Sequence, residues 1–229
     1  MVVYEYIEKL KPLVLEMFKD ECSGHGIDHL KRTLRNAMYI QSKEGGDDLI
    51  IGISAYLHDI HRLLQNKYHR YVSPEDSIVV VKQILFNIDL TNSQIDKICY
   101  CIENHEKYNW NDNNVDDINT LILQDADNLD AIGAIGIARA FAYGSANGIP
   151  IYSENIKRIA NDNYVESDNL ESSTIQHFYD KLLKLGDNMN TKTAKNMAKK
   201  RVQFINEYIN EFMNEVNIIE TNCNDKHIK

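Results

Sequence analysis

Apolar residues recur at helical spacing along almost the whole chain, and no stretch alternates in the manner of a half-buried strand. VYEYIEKLKPLVLEMFKD (3–20) predicts a first amphipathic helix. A second begins near Asp28, runs through HLKRTLRNAMYIQSKEG and stops at Gly45-Gly46, since glycine favours a helix end. The third, DDLIIGISAYLHDIH (47–61), is apolar almost all round, as a buried helix is. A loop is expected over QNKYHRYV. SPEDSIVVVKQIL (73–85) opens the next helix cleanly: Ser73 caps, Pro74 suits the first helical position and two acids fill the first turn. TNSQ (91–94) has the form of a capping box before IDKICYCIENH. DINTLILQDADNLDAIGAIGIARAFAYG (117–144) predicts one or two helices. A polar loop is expected from Gly144 to about Asn169, then two last helices, SSTIQHFYDKLLKLG and TAKNMAKKRVQFINEYINEFMNEV. Residues 1–215 read as one all-α helical domain, and 216–229 as a frayed tail.

Composition narrows the class. The chain has 229 residues with only 10 Gly and 3 Pro, so long helices meet little interruption. Its net charge of −9 argues against a nucleic-acid polymer as partner, because general binders present a basic face. A small anion in a locally positive pocket remains compatible with it. The apolar run near residues 49–57 is too short to span a membrane. MVVYEYIEKLKPL carries charges where a secretory signal would be apolar. Cys22, Cys99, Cys101 and Cys223 form no CxxC pair and read as reduced thiols. A soluble cytoplasmic protein is expected.

The chemistry sits where polar residues interrupt apolar faces. The third helix ends in His58-Asp59, with His61 close behind. A buried histidine or carboxylate without a partner is costly, so each needs a side chain, a water or a metal ion. His29 opens the second helix, and Asp127 interrupts the apolar LILQDADNLDAIGAIGIARAF. Asp125 and Asp130 flank it, and Asp127 and Asp130 share a face at i, i+3. Two histidines and two aspartates from three helices make a mixed nitrogen and oxygen set. Such a set suits Mn²⁺, Fe²⁺, Co²⁺, Ni²⁺ or Zn²⁺ with positions left open. The plainer alternative is a capped helix end with one satisfied core histidine. Adjacent helical residues point about 100° apart, so His58 and Asp59 meet one ion only off the helix edge.

His29, then His58-Asp59, then Asp127, in that order on helices, resembles the HD superfamily of metal-dependent phosphohydrolases. HLKR (29–32) is similar to that family's His-x-x-Arg opening and AYLHDI to its second motif. DADNLDAIGAIGIARAF and QHFYDKLLKLGDNMNTKTAKNMAKKR resemble a bacterial branch, some of whose members hydrolyse nucleotides. The resemblance spans roughly residues 20–210. It implies an HD-domain helical bundle, with His29, His58, Asp59 and Asp127 holding a divalent ion. Mn²⁺ comes first among the candidates, and Mg²⁺ joins those above. Such an ion polarises a phosphoryl oxygen and lowers the pKa of a water.

The implied reaction hydrolyses a nucleoside or deoxynucleoside triphosphate to monophosphate and pyrophosphate. Alternatives are a nucleotide monophosphatase or other phosphoesterase, and a non-catalytic metal- or nucleotide-binding protein. The chain also departs from the family. Some branches carry a catalytic acid three residues after the Asp of the doublet, where Arg62 stands here, and the Gly-Tyr-Pro signature of cyclic-dinucleotide phosphodiesterases is absent. Asp59 and His61 are the candidate catalytic residues, His61 as acid/base or, equally, as a surface residue at a helix end. His105 offers a phosphate contact or a bridge to a second ion, as does His69, each with an ordinary loop histidine as alternative. Arg32, Arg139, Lys181 and Arg201 are candidate phosphate contacts, and Arg32 alternatively pairs with a buried acid. His25 is set aside, because Gly24 and Gly26 make a regular helix there doubtful. Gly133 and Gly136 follow no strand, so they are read as helix-packing residues and not as a nucleotide loop.

Overall fold

The computed structural model describes residues 2–106, 115–155 and 173–224, with side chains as far as 217. All regular structure among them is helical. Helices α1 (Val2–Met17), α2 (Ile27–Glu44), α3 (Asp48–Leu57), α4 (Ile60–Tyr68), α5 (Pro74–Leu85) and α6 (Asn92–Glu103) form the first part. After them come α7 (Ile118–Asp130), α8 (Gly133–Ala146), the single turn α9 (Thr174–His177), a π-helical turn (Phe178–Leu182), α10 (Leu183–Asp187) and α11 (Lys192–Asn224).

The apolar helix α3 lies at the centre, with Ile50 through Leu57 buried without interruption. It packs against α1, α2, α6 and α7, while α2 lies along α7. Leu30, Ile40, Ile53, Ile98, Ile122 and Leu129 fill the space between them. Each such side chain contributes about 1.5–3 kcal/mol on leaving water. The helix starts are set locally. Ser73 and Asp76 form a reciprocal capping box with Pro74 behind the cap, and Thr91 and Gln94 form another. No helix is long and apolar enough to cross a membrane among the described residues.

Three boundaries differ from the sequence reading. The helix expected over 47–61 is broken: α3 stops at Leu57 and α4 starts at Ile60, with Asp59 at φ −89°, ψ 16°. The new helix continues through Gln65–Tyr68, where a loop was expected, and ends at His69 in the left-handed conformation. The 117–144 segment, read as one or two helices, is two, joined at Gly133 with φ +77°. Residues 156–172, which hold part of the expected 144–169 loop and Ser172 at the start of SSTIQHFYDKLLKLG, lie outside the described residues, as do 225–229 of the tail. The last helix runs on from the expected domain edge to Asn224.

Gly136 explains part of the 117–144 break. A Cβ there would sit 2.1 Å from the carbonyl oxygen of Ala131, so the chain turns tightly against itself between α7 and α8. Asp125 anchors another junction. Its two oxygens accept the backbone N–H groups of Asn190 and Thr191, both at 2.7 Å, and so hold the entry to α11.

Candidate metal centre and its cavity

The break between α3 and α4 brings His58 and Asp59 to face one point. His29 reaches that point from the first turn of α2, and Asp127 from the last turn of α7. His29 Nε2 lies 3.1 Å from His58 Nε2, 3.1 Å from Asp59 Oδ2 and 3.4 Å from Asp127 Oδ1. His58 Nε2 is 3.6 Å from each of the same two carboxylate oxygens. The four residues expected as ligands are thus gathered by three separate parts of the bundle.

The tautomers decide what this cluster needs. His58 Nδ1 donates to the carbonyl of Ala55 at 3.0 Å. His29 Nδ1 donates to Asp130 Oδ2 at 2.7 Å. Both hydrogen-bond acceptors lack a proton to give, so Nδ1 carries a hydrogen in each ring, and each Nε2 faces the other and two carboxylates, where a proton or a metal ion has to stand. Lone pairs and anions that close repel one another unless a cation stands between them. Arg62 Nε comes within 3.9 Å of Asp59 Oδ1, and the donor chemistry of the four clustered residues fits a divalent transition ion.

The electrostatics agree. Burial would lower the pKa of His58, but the Asp59 and Asp127 carboxylates beside it raise it to about 9. Burial works against ionised Asp59 and Asp127, yet the neighbouring histidines hold both well below the usual carboxylate range. Burial opposes ionised Asp130 too, but His29 and Arg32 bring it down to about 2. Asp130 therefore accepts as a full anion, orients the His29 ring and raises its basicity as a ligand. Arg32 supports it through Nε and Nη2, at 2.7 and 3.0 Å, and Arg139 Nη1 is 3.3 Å away.

Beside the cluster opens a cavity of about 640 Å³, part of it open to solvent. His25, Arg62, Glu106, Asp127, Arg139 and Lys181 line it. Asp127 is the candidate ligand at its wall, with a side chain 14% exposed against 2% or less for the other three. Arg139 and Lys181, expected as phosphate contacts, both line it, and Lys181 does so from the π-helical turn, a distortion frequent at functional sites.

Other expected contacts are placed elsewhere. Arg32 is committed to Asp130 and, at 2.6 Å, to Asp28, which is the second of its two alternatives. Arg201 donates to the carbonyl of Leu129 and packs on Gly133. Neither lines the cavity, because each is spent on the framework behind it. His61 and His105 are fully buried and do not line it either, so His61 is no surface residue at a helix end. His69 is exposed at the end of α4.

Two residues at the cavity were not selected from sequence. His25, set aside there, donates from Nδ1 to Asp59 Oδ2 at 2.8 Å. Its loop is pinned where Arg139 Nε donates to the carbonyl of Gly24 at 2.6 Å. Burial holds the His25 pKa down at about 4, so the ring is neutral at pH 7. Glu106, just beyond α6, forms a buried ion pair with Arg62. A carboxylate therefore stands next to residue 62 after all, supplied by another element. The signal for His25 was its spacing of four from His29; Glu106 offered none beyond following His105.

Comparisons with known proteins agree with this arrangement. The HD domain model matches residues 26–132, which hold all four candidate ligands. YpgQ of Bacillus subtilis is 32% identical over 206 residues, covering 88% of this chain and 89% of that protein. The chain belongs to the HD superfamily. Among solved structures, an HD-superfamily hydrolase from Bacillus thuringiensis is similar with a TM-score of 0.68 and 32% identity, covering 94% of this chain and 98% of that one. A crystal structure of B. subtilis YpgQ in complex with ADP is similar with a TM-score of 0.69 and 28% identity, covering 91% and 98%.

Proposed function

We propose that the protein is a divalent-metal-dependent phosphohydrolase that converts a nucleoside triphosphate to its monophosphate and pyrophosphate. The observation that carries the reading is the join between two features. One is a cluster of two histidines and two carboxylates that needs a cation, and the other is a cavity lined by Arg62, Arg139 and Lys181. The ADP bound to the YpgQ relative supports a nucleotide as the ligand class.

A divalent ion held by His29, His58, Asp59 and Asp127 supplies a Lewis acid for a phosphoryl oxygen and a water of lowered pKa; Mn²⁺ suits the donor set. The chain's own residues do the rest. Arg139 and Lys181 bind and orient the phosphates, and most of the rate gain in such a transfer is positioning and electrostatic. His25 fixes Asp59 through its Nδ1–H and keeps that carboxylate turned to the cluster. Glu106, which lines the cavity beside Asp127, takes a proton from an attacking water, the role for which His61 was one candidate in the sequence. The water's oxygen bonds to the α-phosphorus, the α–β anhydride bond breaks, and pyrophosphate leaves with that electron pair.

The test is product release from a panel of nucleoside mono- and triphosphates, with and without Mn²⁺, beside Asp59→Ala. Pyrophosphate from triphosphates, lost in the variant, is expected. Free phosphate from monophosphates alone would replace the reading with a nucleotidase. No turnover by folded, Mn²⁺-loaded protein would sink it.

A further inference from the structure

The proposed reaction uses only the charged part of the cavity wall, Arg62, Glu106, Asp127, Arg139 and Lys181. Much of the remaining wall is uncharged: Ala131, Gly136, Ala140, Tyr143 and Leu182. On α8 the residues Gly136, Arg139, Ala140 and Tyr143 fall within about 100° of arc, so the helix turns one continuous face to the cavity. That face changes along its length. Gly136 and Ala140 give it almost no relief. The half-buried ring of Tyr143 stands one turn, about 6 Å, beyond Arg139.

A second segment repeats this order. Lys181 in the π-helical turn and His177 at the end of α9 both line the cavity, again a cation and a ring about one turn apart. Two contacts fix how this segment lies on α8. Phe141 meets Phe178 with ring centroids 5.7 Å apart, and a Cβ on Gly144 would lie 2.4 Å from Thr174 Oγ1. Position rises along one segment as it falls along the other, so the two run antiparallel. Tyr143 and His177 therefore stand at one end of the cavity, and Arg139 and Lys181 at the other. The bare backbone at Gly144 lets the segments touch right beside Tyr143, which holds that ring in place.

The ring is also tied to the metal cluster. Tyr143 meets His25 edge-on, with centroids 6.2 Å apart and planes at 76°, and His25 in turn bonds Asp59. Only His25 and Asp59 stand between the ring and the candidate ion, a gap that the sugar of a nucleotide bridges between phosphate and base. An aromatic face beside a low apolar floor suits a flat heteroaromatic ring, because stacking asks only for a π-face. We propose that the Tyr143 end of the cavity seats the nucleobase, stacked on the Tyr143 ring, and that this contact selects nucleotides over phosphate compounds without an aromatic ring. The assignment rests on the reading of the cavity as a nucleotide site.

The experiment is calorimetry of the full-length, Mn²⁺-loaded protein with ADP and with ribose 5-diphosphate, which differ only by the base. ADP is expected to bind about tenfold or more tightly. Tyr143→Ala should bring ADP down to the level of ribose 5-diphosphate while leaving the affinities for ribose 5-diphosphate and Mn²⁺ unchanged. Tyr143→Phe keeps the ring and should keep the preference. Equal affinities in the wild-type protein overturn the seat, and so does a preference that survives Tyr143→Ala. If Tyr143→Ala fails to fold, a 2-aminopurine riboside diphosphate on the wild-type protein decides: stacking quenches its fluorescence, and undiminished emission from the bound nucleotide overturns the proposal. A Tyr143-dependent preference without hydrolysis of triphosphates keeps the seat and removes only the proposed reaction. No binding of either diphosphate removes both.

Discussion

Asp125 and Asp127 are two residues apart on α7, both enclosed by protein, and they have opposite lives. Asp125 looks toward α11 and receives N–H groups from Asn190 and Thr191, the Asn190 side chain included. Asp127 looks toward His29 and His58, whose facing Nε2 atoms lie 3.4 and 3.6 Å away. The helical turn of about 100° per residue separates the two faces. Burial alone therefore says little about whether a carboxylate is functional. What its neighbours offer decides it: donors make a structural anchor, and acceptors make a site that waits for a cation. Their electrostatics differ too: burial raises the Asp125 pKa and the donated bonds only partly offset it, whereas at Asp127 the histidines outweigh burial and hold the pKa well below the usual range.

The largest effect that would sharpen this contrast is expected from Asp127→Asn. Hydrolysis should fall about a thousandfold, equivalent to ~4 kcal/mol, and the Mn²⁺-induced rise in Tm should vanish. Asp125→Ala should do the reverse. It leaves two buried N–H groups unpaired and should cost about 2–4 kcal/mol in urea denaturation, while the Mn²⁺-induced rise in Tm survives. If Asp125→Ala abolished that rise and Asp127→Asn did not, the contrast would be upside down.

A third substitution probes the support behind the cluster. Asp130→Asn removes the anion that orients His29 and should weaken Mn²⁺ binding about 10–100-fold by calorimetry. An unchanged affinity would show that the ring holds its place without it.

The smallest effect concerns pH. In the metal-free protein His58 has its pKa raised to about 9, from an ordinary 6.5. The folded state then binds the proton more tightly than the unfolded one. This stabilises the metal-free fold fully below pH 6.5, and the contribution fades as pH rises toward 9. The Tm of chelated protein should fall across that window, while Mn²⁺ affinity rises as the competing proton leaves. A flat Tm in chelator would contradict the direction given for His58.

Much of this was legible in the sequence, and the missing pieces share a cause. The all-α class, the capping boxes at Ser73 and Thr91 and the gathering of His29, His58, Asp59 and Asp127 follow from local periodicity and from polar residues on apolar faces. The break at Asp59 was hidden, because SAYLHDIH contains neither Gly nor Pro. So was the π-helical turn in FYDKL. His25 and Glu106 lie outside helices, where no period places a side chain. Contacts from afar position them: the Arg139 bond to Gly24 for one, Arg62 for the other. Arg32 and Arg201 were legible as cations near motifs, but only packing shows that their charge is spent on Asp130 and on the Leu129 carbonyl.

His58, His61 and His105 each bond through Nδ1 to a carbonyl three residues back, at Ala55, His58 and Ile102. Each of these contacts closes within a single turn of chain. The protonation pattern of these rings is thus written by a helix end alone and exists as soon as that end has formed. Asp59 comes with His58 and Glu106 with His105, whereas His29 and Asp127 reach the doublet over long stretches of chain. Assembly of the centre then becomes the meeting of helix ends whose rings already face the right way, and a late-arriving ion meets prepared donors.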